Sequence, residues 1–150
     1  MTGRKRMFKL LCRNYLRIRI SCDEELLDRL QRENDYYESF EWFERMMEGK
    51  DPDSVIESLR KTSDRTERLI CSIDHALDEY GAIARREDME SFRQYDILFS
   101  RYFSAGGPKI RELARKYGVK KTKIYKDLKA AEIRMESILF GDYSPSGESL

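Results

Sequence analysis

The chain has 150 residues, 38% of them charged and 40% hydrophobic, with a formal net charge of only +1. That length suits one or two small domains with a real apolar core, and so many charges with only three prolines favour long, exposed helices. Cys12, Cys22 and Cys71 are odd in number and form no C-x-x-C pair, which argues against a disulfide framework or a zinc site and predicts a cytoplasmic protein.

The first twenty residues, MTGRKRMFKLLCRNYLRIRI, hold seven basic residues and no acid. The apolar run Leu10 to Cys12 is too short for a signal-peptide core, and no stretch is long enough to span a membrane. Two readings suit this segment: a DNA-contacting arm, or a basic amphipathic helix docked on the acidic stretch that follows.

Asp23 to Glu48 is expected to be one helix, with Asp23, Glu24 and Glu25 favourable at its N-terminus and Gly49 at its end. Tyr36, Tyr37, Phe40, Trp42, Phe43, Met46 and Met47 crowd its second half and are read as core packing. Over Asp23 to Glu57, thirteen acids face four bases, a net −9 that should repel DNA. Asp51-Pro52 marks a new helix, an N-cap followed by proline where its missing N–H costs nothing. Val55, Leu59, Thr62, Thr66, Leu69, Ile73, Ala76, Tyr80 and Ile83 then alternate four and three residues apart. This heptad seam suits an intramolecular hairpin, and also a homodimer seam. His75, the single histidine, flanks that seam beside Asp74 and Asp78 and is read as a surface residue.

Glu87 to Phe103 is expected to be the next helix, with Met89, Phe92, Tyr95, Leu98, Phe99, Tyr102 and Phe103 as its packing face. Gly106-Gly107-Pro108 lacks the spacing of a phosphate-binding loop and is read as a turn. The segment IRELARKYGVKKTKIYKDLKAA, Ile110 to Ala131, then carries the strongest pattern in the chain. Ile110, Leu113, Ala114 and Tyr117 fall at helical spacing, Gly118 interrupts, and Val119, Ile124, Leu128 and Ala131 resume. Ala114 is small where two helices cross, and Gly118 stands where a tight turn favours positive φ. The outward face is then Lys120, Lys121, Thr122, Tyr125, Lys126 and Lys129. From Pro108 to Arg134, ten Lys and Arg outnumber Glu112, Asp127 and Glu132, a local net +7. A helix-turn-helix with a cationic outer face suits the DNA major groove.

Tyr95 to Leu139, YDILFSRYFSAGGPKIRELARKYGVKKTKIYKDLKAAEIRMESIL, resembles region four of a bacterial sigma factor. There a helix and a Gly-containing loop lead into the helix-turn-helix. Related second helices begin with Ser or Thr, whereas Lys120 and Lys121 stand here and Thr122 follows. The whole arrangement, long charged helices before this domain, resembles phage late-gene regulators of the RinA and ArpU type. That resemblance implies a transcriptional activator. The region of a full sigma factor that melts promoters has no counterpart.

The expected fold is all-α: a long-helix N-terminal module over 1–85, a helix-turn-helix domain of sigma-region-four type over 86–141, and a disordered tail over 142–150. The expected function is a sequence-specific DNA-binding transcriptional regulator. Lys120, Lys121, Thr122, Tyr125, Lys126 and Lys129 would enter the groove; Arg111, Arg115 and Lys116 would touch flanking backbone. Double-stranded DNA is the principal expected partner. The alternative is a sigma-like protein that docks on RNA polymerase, with DNA contact secondary. No motif supports an enzyme, a cofactor or a catalytic metal.

Overall fold

The computed structural model describes residues 3–34, 43, 45, 48–61 and 64–140, and among these every regular element is a helix. In order they are α1 (Gly3–Ile20), α2 (Glu24–Glu33), α3 (Pro52–Arg60), α4 (Asp64–Arg86), α5 (Met89–Leu98), α6 (Ile110–Tyr117) and α7 (Lys121–Leu139). A wider π-type turn, Phe99–Phe103, extends α5. No helix among the described residues is long and apolar enough to cross a membrane. The chain divides into two compact units, residues 1–75 and 76–150, with the division inside α4.

In the first unit, α1 buries Phe8, Leu11, Cys12, Tyr15 and Ile18 and packs against α3, which contributes Val55, Ile56 and Leu59. Leu27 and Leu30 of α2 and Leu69, Ile70 and Ile73 of α4 complete this core. Polar pairs fix the helices to one another. Tyr15 and Arg19 both donate to the Asp74 carboxylate, and Gln31 Nε2 donates to the Cys71 carbonyl at 3.2 Å. Burial, with the Glu67 charge next, pushes the Cys22 thiol up to about 12; burial and the Asp74 charge push Cys71 to about 11. Neither is a thiolate nucleophile near neutral pH.

Two long elements of the sequence reading are shorter here. α2 does start on Asp23, whose carboxylate accepts the Glu25 N–H at 2.9 Å, but it ends at Glu33. Asn34 then turns left-handed at φ 53, a region its short polar side chain tolerates, so Asp23 to Glu48 is not one helix. Of the aromatic and methionine cluster, Phe43 is fully buried; Tyr36, Tyr37, Phe40, Trp42, Met46 and Met47 lie outside the described residues. The heptad seam is buried at Val55, Leu59, Thr66, Leu69, Ile73, Ala76, Tyr80 and Ile83, with Thr62 outside the described residues. It runs over two helices, however, because α3 ends at Lys61, whose backbone (φ −95, ψ 2) leaves the helical range. His75 is exposed, as its position beside the seam suggests.

The second unit is built from the end of α4 with α5, α6 and α7. Asp88 caps α5 by accepting the Ser91 N–H at 2.7 Å, and that bond holds its carboxyl below the usual carboxylate range. The packing face of α5 differs from the expected one. Ile97, Leu98 and Phe103 are buried, whereas Met89 is 89% exposed and Phe92 and Phe99 are more than a third exposed. The π-type turn widens the backbone after Leu98, so a constant helical period no longer describes which side chains face inward. Tyr95 bridges the two sets, packing edge-on against Tyr80 at 5.2 Å and tilted against Phe99 at 5.9 Å.

Two glycines shape the connections. A Cβ on Gly107 would lie 2.5 Å from the Arg101 carbonyl oxygen, so only glycine allows that approach. Gly118 ends α6 at φ 62; its N–H donates to Arg115 and the Val119 N–H reaches back to Ala114 at 3.0 Å, a Schellman closure. A Gly118→Ala variant should lose about 1–2 kcal/mol, the penalty for an L-residue in left-handed backbone. Gly118→Asn should lose less. Chemical denaturation of both would show this, and an alanine variant as stable as the parent would contradict the turn geometry.

Candidate nucleic-acid interface

α6 and α7 are joined by the three residues Gly118, Val119 and Lys120. Leu113 and Ala114 of α6 are buried, and α7 turns inward Ile124, Leu128, Ala131 and Met135, four, three and four residues apart. α7 packs on both α5 and α6. The apolar spacing read from the sequence therefore selects the buried side, and it carries one charged exception.

Asp127 lies on that inner side and is 1% exposed. Arg93 of α5 donates from Nε to its Oδ2 at 2.9 Å and from Nη2 to its Oδ1 at 3.4 Å. Gln94 Nε2 adds a donor at 3.4 Å and Lys123 Nζ lies 3.5 Å away. A buried carboxylate needs this degree of satisfaction, because desolvation otherwise costs several kcal/mol. The fork of one arginine thus fixes α7 against α5.

A second carboxylate, Asp96, holds α6. Tyr117 Oη and Lys116 Nζ, the latter at 2.9 Å, both donate to its Oδ2, and Ser100 Oγ donates to its Oδ1 at 3.5 Å. Burial by itself raises the Asp96 pKa, but the Tyr117 and Lys116 hydrogen bonds and the Lys116 charge outweigh it and hold the carboxyl below its usual range. Burial, followed by the Asp96 hydrogen bond and charge, pushes the Tyr117 phenol above its ordinary value, so it stays a donor near neutral pH.

These contacts sort the ten cations of this segment. Lys123 is shared between Asp127 and Glu90, Lys116 is paired with Asp96, and Arg134 pairs with Glu87 while its guanidinium lies 5.6 Å over the Tyr80 ring. Lys109, Arg111, Arg115, Lys120, Lys121, Lys126 and Lys129 are all exposed, with no ion-pair partner among the described residues. Thr122, Lys126 and Lys129 share the side of α7 opposite its buried face, with Tyr125 and Lys121 on the flank, and Tyr125 is 58% exposed. Every expected contact residue is therefore at the surface. Lys116 is also a brace within the unit.

The sequence reading does not single out Arg93, Gln94 or Asp96, and it takes Asp127 only as one of three acids in the local charge. One signal was present: Asp127 falls at the same helical spacing as Ile124 and Ala131, and an acid within an apolar face is buried only with partners. It also missed Ile133, which is 48% exposed and continues the outer stripe one turn beyond Lys129. The helix starts differ in kind. α2 and α5 begin on aspartates that accept backbone N–H bonds, whereas α6 and α7 begin on Lys109 and Lys120 with no side-chain cap.

Compared with protein-family models, with curated proteins and with solved structures, the chain matches none.

Two outcomes test this geometry. Asp127→Ala strands Arg93 and Lys123 and should cost about 3 kcal/mol, the low end for a broken buried pair because both cations keep some access to water; denaturant unfolding gives the number. Asp96 titrates lower folded than unfolded, so its stabilisation is complete above the unfolded value, about pH 3.9, and is lost as pH falls through the folded one. Acid unfolding curves of the parent and Asp96→Asn should differ above about pH 4 and converge below it.

Proposed function

We propose that the second unit binds double-stranded DNA and that the protein is a sequence-specific transcriptional regulator. The observation that carries this reading is the run of exposed, unpaired cations on α6 and α7 around Thr122 and Tyr125. An α-helix about 10–12 Å across matches a major groove about 12 Å wide. α7 would lie there as the second helix of a helix-turn-helix, with α6 braced behind it. Lys120, Lys121, Lys126 and Lys129 would neutralise phosphates, while Thr122 and Tyr125 offer hydroxyls to base edges or sugar. Arg111 and Arg115 would hold flanking backbone. Lysine is a point charge without the planar fork that reads guanine, so one copy would discriminate sequences modestly. A long-helix first module and a sigma-region-four-like second one, as in phage late-gene activators, is the arrangement the resemblance implies.

A second reading rests on a separate observation. Met89, Phe92 and Phe99 expose apolar surface on and after α5, which suits a protein partner and supports docking on RNA polymerase with DNA contact secondary. The two readings separate in one experiment. Fluorescence anisotropy on the DNA flanking the protein's own gene and on a scrambled duplex, across a salt series, should show tighter binding to the flank. Lys121→Ala with Lys126→Ala should lower the salt slope by about 1.8, at about 0.9 per phosphate lost. Equal, weak binding that the substitutions leave unchanged would remove DNA reading and leave polymerase docking.

A further inference from the structure

The N-terminal helix carries a second cationic face that the reading above does not use. α1 turns Phe8, Leu11, Cys12, Tyr15 and Ile18 into the core of the first unit, all at most 5% exposed. Arg6, Lys9, Arg13 and Arg17 fall three, four and four residues apart on the opposite side. Arg6, Arg13 and Arg17 are exposed and Lys9 is half-buried. Arg19, by contrast, is consumed inside the fold by Asp74 and Tyr15. Among the described residues Arg6, Lys9 and Arg13 have no ion-pair partner; Arg17 donates to Asn14 Oδ1 at 3.3 Å and lies 3.9 Å from the exposed Glu57. Among the described residues of the acidic stretch, only Glu57 reaches this row, at Arg17.

We infer that this row is a second DNA contact, made by the first unit to the phosphate backbone and carrying no sequence preference. The inference takes its occupant from the DNA-binding reading of the second unit. Three features favour a phosphate backbone. From Arg6 to Arg17 the row covers eleven helical steps, about 16 Å at 1.5 Å per residue, which matches about five phosphates of one strand at 3.4 Å each. Three of its four members are arginines, whose planar forks engage phosphate oxygens in pairs. It contains no acid and no hydroxyl or amide that would read a base edge. An anionic membrane is the other surface that takes a cationic helix, but it holds such a helix firmly when the helix gives its apolar face to the lipid. Here Phe8, Leu11 and Ile18 are already buried in the protein.

The test compares the full-length parent, Arg6→Gln/Arg13→Gln/Arg17→Gln, and Lys121→Ala/Lys126→Ala for binding to native-flank and scrambled duplexes over a salt series. Helical circular dichroism and the unfolding midpoint should match the parent in the glutamine variant, because the three side chains are exposed. Its salt slope should fall by about 2.7, so between 50 and 200 mM salt the parent loses about 40-fold more affinity than the variant. Its preference for the flank over the scramble should not change. A slope equal to the parent's overturns the α1 contact and leaves the α7 reading intact. Loss in the glutamine variant with none in the lysine variant sustains α1 and removes α7. Absence of DNA binding by the parent removes both. Binding of the parent to phosphatidylserine vesicles, abolished by the glutamine changes while DNA slopes agree, overturns the inference in favour of a lipid surface.

Discussion

Asp127 is the constraint on which the second unit turns. Its carboxylate is almost fully removed from water and lies among the apolar residues that α7 packs inward. Alone it would favour almost any arrangement that returned it to solvent. With the Arg93 fork and Gln94 on α5 it favours one, because a shift or rotation of α7 breaks several charge-assisted bonds together. Ile124, Leu128, Ala131 and Met135 supply the burial that holds α7 down, but similar apolar side chains tolerate sliding. The carboxylate fixes the register. Whatever the outer face of α7 presents is therefore presented at one angle from α5.

The same accounting explains how a chain of net charge +1 acquires a strongly basic surface. Charge is allotted by position. Arg19, Arg93, Lys116, Lys123 and Arg134 are held by carboxylates from other helices or from a neighbouring turn, and they serve as mortar. Among the exposed cations, rows with no acid between them stand on α6, on the outer side of α7 and on the outer side of α1. Net charge sums both populations and so describes neither. Only the second population sets the field that a polyanion meets on approach.

What the sequence disclosed follows the range of the interaction involved. Local signals were legible: Asp23 and Asp51 open helices, Gly118 closes α6 in left-handed backbone, and the apolar period assigns the buried side of α7. The all-helical character followed from these. The misreadings arose where a regular pattern continued through a break in the backbone. The heptad spacing passes through Lys61 without a change of phase, and nothing but the polar Asn34 marks the end of α2. The π-type turn after Leu98 carries no composition signal at all, since its Phe, Ser, Arg and Tyr all suit a helix. Long-range polar partners such as Arg93 and Asp127, thirty-four residues apart, cannot be read from spacing within one helix.

The starts of α6 and α7 are where local stability and the proposed role pull in opposite directions. An aspartate N-cap is worth about 0.5–2 kcal/mol over an uncapped start, and a cation beside the first turn opposes the helix dipole by about 0.3–1 kcal/mol more. The chain places aspartates at the starts of α2, α3 and α5, so the device is available to it. At α6 and α7 it places Lys109 and Lys120, with Lys121 opening α7, and forgoes both contributions. Within the free protein that choice has only a cost, which the Asp96 and Asp127 clamps offset from the sides. Beside a phosphate the sign reverses: the uncapped N–H groups, the dipole and the lysines all favour the anion, and an aspartate in either place would repel it.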